Sequence, residues 1–216
     1  MLKNNISRLV LFNAITVLLW FSSYTYVPIL SVYLKDMGIS YSMTGIILSS
    51  YGLTQLLFRI PFGILSDTYN FRKAFIMLGL SASAASSIGL YFSDAPLAIL
   101  LFRSLAGVAV STWAIYIATF ISYFPAEEKA KSIGYINASF SFGQVAATFL
   151  GGIIAASCGA RSAFALSAGA AVIGLSLSIA VPEPNATSKG ALKPADFLYA
   201  ARDKDLIFFS ALAAVM

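Results

Sequence analysis

One arginine sits where a charge is expensive. Arg103 lies about eight residues into the apolar run that starts at Pro96, some 12 Å along a helix rising about 1.5 Å per residue. A charge at such depth costs at least about 2.5–3.5 kcal/mol on membrane-insertion scales, so it is expected to face a bundle interior or water. There it can contact a substrate or take part in ion coupling; the alternative is an arginine that snorkels to a surface. Around it the apolar runs carry amides and aromatics at helical spacing. Asn13, Trp20 and Tyr24 share one face, Tyr51 and Gln55 a second, and Asn137, Ser141 and Gln144 a third. Polar stripes on membrane helices turn away from lipid. They either line a cavity or make interhelical hydrogen bonds worth about 0.6 kcal/mol each. No carboxylate accompanies them: Asp36, Asp67, Asp94, Glu127, Glu128 and Glu183 all fall at the ends of runs or between them. The chain has no histidine and a single cysteine, Cys158, which excludes an internal disulfide and removes the commonest metal ligand. With no phosphate-cradling glycine–lysine loop and no triad pattern, neither an enzyme nor a cofactor is expected.

A second group with chemical character is the stretch Gly63-Ile-Leu-Ser-Asp67-Thr-Tyr-Asn70-Phe-Arg72-Lys73. It joins two apolar runs through an acid and two bases, which belong at the membrane surface, where charge is cheap. Asn70 tolerates the left-handed backbone that a sharp turn requires. Taken alone, the stretch also fits a solvated link with anchoring cations.

The elements that must position these residues follow from composition. The 216 residues are 59% hydrophobic and 11% charged, with net charge +5 and mean hydropathy +0.83. A soluble domain carries about 25% charged residues, so the chain reads as a polytopic membrane protein. A membrane helix needs roughly 20 apolar residues. Six runs qualify: Leu9–Leu34, Met43–Leu65, Ala74–Ser93, Pro96–Tyr123, Ser132–Ala156 and Ala163–Val181. The expected fold is all-α, a six-helix unit over residues 1–181. A polar linker over 182–205 follows, then residues 206–216 as the start of a seventh span too short to cross, as in a chain cut from a longer protein. Lys3, Arg8, Arg72, Lys73, Lys129, Lys131, Lys189, Lys193, Arg202 and Lys204 fall on one side of this topology, and Lys35 and Arg161 on the other. The excess puts the amino terminus, the Gly63–Lys73 turn and the linker in the cytoplasm. The bases lie between apolar runs, so nucleic acid is not an expected partner.

The chain also repeats. A shift of 89 residues lays Gly45 on Gly134, Ile47 on Ile136, Ser50 on Ser139, Gln55 on Gln144, Gly63 on Gly152, Arg72 on Arg161 and Phe75 on Phe164, with Tyr51 on Phe140. The repeating unit is three helices, an odd number, so its second copy is inverted in the membrane. Inverted three-helix repeats are a mark of transporter folds.

The Gly63–Lys73 stretch resembles the signature loop of the major facilitator superfamily: Gly63, Leu65, Ser66, Asp67, Arg72 and Lys73 match, while Thr68, Asn70 and Phe71 depart. Arg103 to Gly107 is similar to the family's Arg-x-x-x-Gly pattern. Gly143 to Gly152 resembles its antiporter pattern, with Ala147 and Thr148 replacing the central Gly-Pro. The resemblance covers about Leu9–Pro184, one half of a twelve-helix protein. It implies two inverted three-helix repeats in a secondary transporter that works by alternating access, in the bacterial inner membrane. Implied partners are the lipid bilayer, a small-molecule substrate, and a carboxy-terminal six-helix half or a second copy, with protons a candidate coupling ion. Drug or metabolite efflux is the leading expectation; a scaffold or receptor that keeps the fold is the alternative. By the same resemblance Asn13, Trp20, Tyr24, Tyr51, Gln55, Asn137, Ser141 and Gln144 line a cavity and Arg103 serves coupling. Gly63, Asp67, Arg72 and Lys73 form a gate.

Overall fold

The computed structural model describes the backbone of residues 2–182 and side chains from residue 7. The expected seventh span, and all of the expected linker beyond Pro182, lie outside the described residues. Among the described residues eight α-helices run in order: α1 (Leu2–Tyr24), α2 (Val27–Asp36), α3 (Tyr41–Tyr69), α4 (Arg72–Phe92), α5 (Pro96–Ser111), α6 (Trp113–Ile121), α7 (Lys129–Cys158) and α8 (Ala160–Ser178). A single 3-10 turn, Ala126–Glu128, precedes α7. Helices α1 and α2 form one rod and α5 and α6 another, so six rods correspond to the six apolar runs. Five of the six are long and apolar enough to cross a membrane. The other, α3, has the length at 29 residues, and breaks its apolar sequence with Thr44, Ser49, Ser50, Thr54, Gln55 and Arg59.

Local chemistry sets the boundaries. The first rod breaks between Tyr24 and Val27 because Pro28, in the first turn of α2, has no N–H for the Tyr24 carbonyl. The other broken rod has no proline. There Ser111 and Thr112 turn their hydroxyls onto the Val108 and Ala109 carbonyls, at 2.6 and 2.7 Å, and compete with the helix ladder. Ser40 caps α3 by accepting from the Met43 N–H at 3.3 Å. Asn70 ends it at φ 54°, in the left-handed conformation. Helix α3 runs further than the apolar run indicates, so Asp67 stands on its last turn and only Asn70 and Phe71 separate it from α4.

Packing repeats the sequence shift. Under it, the α1–α2 rod corresponds to α5–α6, α3 to α7 and α4 to α8. Among the most extensive contacts are α3 with α5, α1 with α7 and α4 with α8. Exchanging the two three-helix groups turns the first contact into the second and leaves the third unchanged. That is the relation of two groups about a twofold axis lying in the membrane plane. Both first rods break at nearly equivalent positions under the shift, which lays Thr112 on Ser23, beside the break near Thr25.

Glycine decides how close the crossings come. A Cβ at Gly107 would overlap the Tyr51 carbonyl and the Thr54 hydroxyl; one at Gly143 would lie 2.7 Å from the Val17 carbonyl, and one at Gly151 would overlap that of Thr25. The small-residue face Gly45, Ser49 and Gly52 reads from sequence as a packing face. It is open instead: nothing described lies within 4 Å of a Cβ at Gly45 or Gly52. At the third contact, hydroxyls replace charge. There the Ser87 and Ser167 hydroxyls lie 2.6 Å apart, and beside them those of Ser22 on α1 and Ser83 on α4 lie 2.8 Å apart, all buried. One core cluster gathers Phe12, Ile15, Leu19, Trp20, Tyr116 and Phe120. The other gathers Tyr26, Leu30, Leu34, Ile47, Ile99 and Phe164.

Candidate functional site

Arg103 on α5 is 5% exposed. Its guanidinium lies over the Tyr51 ring of α3 at 4.2 Å from the centroid and over the Tyr26 ring at 5.5 Å. Nη1 donates to the Tyr26 hydroxyl at 3.3 Å. Nε is buried without a hydrogen-bond partner among the described residues. Two aromatic faces stabilise a desolvated cation without neutralising it. Three elements build this arrangement: the turn that breaks the first rod supplies Tyr26, α3 supplies Tyr51, and Gly107 one helical turn on lets α5 approach α3 closely enough for the rings to meet.

Across the bundle, Trp20 is 5% exposed and packs edge-on to Phe140 and Trp113, with centroids 4.3 and 5.2 Å away. Tyr24 lies 5.7 Å from it and is half-buried. Tyr24 and Tyr51 are within electrostatic range of each other and of Arg103. Trp20 thus packs on Tyr24, and the cation on Tyr51, with the two tyrosines within electrostatic range of each other.

The amides divide. The Asn13 Nδ2 donates to the Leu9 carbonyl at 2.9 Å, and its Oδ1 accepts from the Ser139 hydroxyl at 2.7 Å. Its polarity thus serves the contact between α1 and α7. Gln55 and Gln144 are half-buried, and neither side-chain amide makes a hydrogen bond among the described residues. Asn137 and Ser141 are exposed on α7. Sequence reasoning did not reach Tyr26, Trp113 or Phe140. Phe140 was in view as the repeat equivalent of Tyr51; the Pro28 break is the signal that could have pointed to Tyr26.

At the turn, Asp67 Oδ1 accepts from Arg72 Nη2 at 2.9 Å and from Nε at 3.2 Å. Lys73 Nζ does not join them: it donates to the Ile179 carbonyl at 2.6 Å, just past the end of α8. Gly63 and Asp67 line a groove of roughly 310 Å³ with Arg59, Ile60, Ile64, Thr68 and Ala114. A Cβ at Gly63 would meet nothing within 4 Å among the described residues. At the opposite end of the bundle Arg161, the repeat equivalent of Arg72, pairs with Asp94.

Known proteins share this architecture. A crystal structure of a bacterial homologue of the human lysosomal transporter Spinster, inward-facing and unoccupied, matches with TM-score 0.73 at 16% identity, over 92% of this chain and 48% of that one. The inner membrane transport protein YajR of Escherichia coli (strain K12) is 35% identical over 162 residues, 74% of this chain and 35% of its own length. The quinolone resistance protein NorA of Staphylococcus aureus (strain Mu50) is 28% identical over 134 residues, 60% of this chain and 33% of its own. The chain thus spans about a third of the length of these curated relatives. The family model of the Major Facilitator Superfamily matches residues 12–216. The likeness carried at first by three short motifs extends from residue 12 through the rest of the described bundle, and the chain belongs to the Major Facilitator Superfamily, as an integral membrane protein.

Proposed function

We propose that the protein to which this chain belongs is a secondary active transporter that moves a small molecule by alternating access. The observation that carries this is the pair of inverted three-helix groups, each with a broken first rod, around an arginine with no acid beside it among the described residues. Inverted repeats of broken helices place substrate and coupling sites near the membrane midplane in carriers. Trp20, Tyr24, Tyr51, Gln55 and Gln144 are the cavity residues on this reading, with Asn137 and Ser141 at its open margin and Asn13 supporting α7. Arg103 serves coupling, with protons the candidate ion. No covalent chemistry is part of the cycle. The resistance name borne by one relative supports efflux of a drug or metabolite. Residues 1–181 form the amino-terminal half. A linker and the start of a seventh span follow, and the opposing surface comes from a carboxy-terminal half or a second copy. The end with Arg8 and the Gly63–Lys73 turn faces the cytoplasm, following the excess of bases there.

Gly63, Asp67, Arg72 and Lys73 then act as a gate. Asp67 and its partners hold the cytoplasmic side closed, and breaking the contact moves the population toward the inward-facing state. A change of about 1.4 kcal/mol alters that ratio tenfold. Spin labels on the cytoplasmic ends of the two halves read the effect. Asp67→Asn should lengthen the mean distance and slow turnover while changing substrate affinity within one fixed conformation little. An unchanged distance distribution with lost binding would move Asp67 from the gate to the site.

Flux tests the reading as a whole. Full-length protein in proteoliposomes with an imposed proton gradient should accumulate or extrude a hydrophobic dye. Binding without flux across a broad panel would favour a receptor that keeps the carrier fold.

A further inference from the structure

Two buried N–H groups in the bundle have no acceptor. Arg103 and Trp20 are each 5% exposed, and Arg103 Nε and Trp20 Nε1 are each without a hydrogen-bond partner among the described residues. The rings that flank the guanidinium stabilise its charge and leave this N–H unsatisfied. No aspartate or glutamate lies well inside any described span, and the described ion pairs, Arg72 with Asp67 and Arg161 with Asp94, lie at the two ends of the bundle. Buried charges in proteins are ordinarily paired, and buried donors ordinarily find acceptors. The two orphan donors stand at the ends of a run made of two contacts, Trp20 with Tyr24 and Tyr51 with Arg103, and Tyr24 and Tyr51 are within electrostatic range of each other. Tyr24 and Tyr51 are half-buried and form its open side.

We propose that this run binds a lipophilic monoanion. A single carboxylate or sulfonate head lies against the free edge of Arg103, its flat apolar body rests on the Tyr51 and Tyr24 rings, and an acceptor on the far side of that body takes the Trp20 N–H. The charge fits an oxyanion because a guanidinium offers planar paired donors to one. The aromatic run fits a flat body because rings prefer offset or edge contacts with other rings. The same arginine disfavours lipophilic cations. The assignment names the substrate class of the transport site and rests on that reading.

Three probes sharing one ring system and differing in charge test it: naphthalene-2-carboxylate, 2-naphthylmethanol and (2-naphthyl)trimethylammonium, titrated calorimetrically into full-length protein in lipid nanodiscs. The anion should bind at least about tenfold more tightly than either of the others. Arg103→Gln should erase that preference, weakening the anion about tenfold and the alcohol little, and Arg103→Lys should keep part of it. The wild-type ranking stands whether or not the variants fold. Absent binding of the anion, or equal binding of the alcohol or the cation, overturns the assignment; a carboxylate from outside the described residues that already neutralises Arg103 would give that result. Equal weakening of all three probes by Arg103→Gln overturns it too. Flux of the same probes into proteoliposomes keeps the two readings apart. An anion bound selectively and never moved leaves this assignment standing and removes transport. A cation or alcohol that is moved, with the anion unbound, does the reverse.

Discussion

The α3–α5 crossing and the α1–α7 crossing are one contact made twice, once around a cation and once around edge-on rings. In the first, Gly107 brings α5 onto the α3 backbone, Thr54 donates across the gap to the Ser104 carbonyl at 2.8 Å, and Tyr51 lies beneath Arg103. In the second, Gly143 and Gly151 bring α7 onto the α1 backbone, Ser139 donates to Asn13 at 2.7 Å, and Phe140 packs against Trp20. Tyr51 and Phe140 are equivalent under the 89-residue shift and differ by one hydroxyl. The equivalent of Arg103 is Ala14. Close backbone approach is common to both crossings, although different helices of the pair supply the glycine. What separates them is a handful of side chains laid over that approach.

The largest effects should come from blocking the approach itself. Gly107→Leu and Gly151→Leu push a side chain into a neighbouring backbone. Overpacking typically costs about 1–3 kcal/mol, more where the obstacle cannot move. Both should lose monodisperse protein in detergent. Gly45→Ala and Gly152→Ala, which meet nothing within 4 Å, should raise the melting temperature, because alanine is the better helix former by about 0.8–1.0 kcal/mol. If Gly45→Ala destabilises as strongly as Gly107→Ala, the open face of α3 is covered by a segment outside the described residues.

The rings come next. Tyr51→Leu strips a face from a desolvated cation and should cost about 2 kcal/mol. Phe140→Leu removes ring stacking worth about 0.5–1.5 kcal/mol beyond its area. Thermal unfolding of the two variants measures the difference that the cation makes, and equal losses would erase the distinction between the crossings. Smaller again are the hydroxyls: Thr54→Val and Ser139→Ala should each cost about 0.6 kcal/mol, and equally, if the bridges are equivalent. The smallest stability effects belong to the two exposed ion pairs. Asp67→Asn should cost under about 1 kcal/mol, because the Asp67 and Arg72 side chains remain 43% and 20% exposed. Asp94→Asn should cost less, with Arg161 49% exposed. Melting curves at low and high salt should converge for both variants.

Much of this fold was legible in sequence because a membrane imposes length and polarity rules that leave little choice. Six apolar runs gave six rods, and the odd repeat gave their inversion. Partners were harder to read. Helical spacing put Asn13 and Gln55 on comparable polar stripes, yet Asn13 is engaged by Ser139 and Gln55 is not engaged, a difference set by which helix crosses above each. The Gly45, Ser49 and Gly52 face looked made for packing, while the crossings use Gly107, Gly143 and Gly151 instead. The break at Thr112 has no proline to announce it. It arises from two adjacent hydroxyls competing with the ladder, and most serines and threonines in these helices do so without ending one. Arg103 was conspicuous from cost alone; its two flanking rings come from elements distant in sequence.

The bond from Lys73 to the Ile179 carbonyl turns the signature stretch into a clamp as well as a link. One base of the pair steadies Asp67 on its own side of the turn, and the other grips a single carbonyl just past a helix end, 106 residues away. The carboxy-terminal end of α8 is therefore fixed to the first turn of α4. Any movement that tilts α4 at that end must carry the end of α8 with it, as a hinge pin carries the door it is bolted to. A fluorophore at Ala180 would then report strain in the turn without touching it, and Lys73→Met would disconnect the two while leaving the Asp67–Arg72 pair in place.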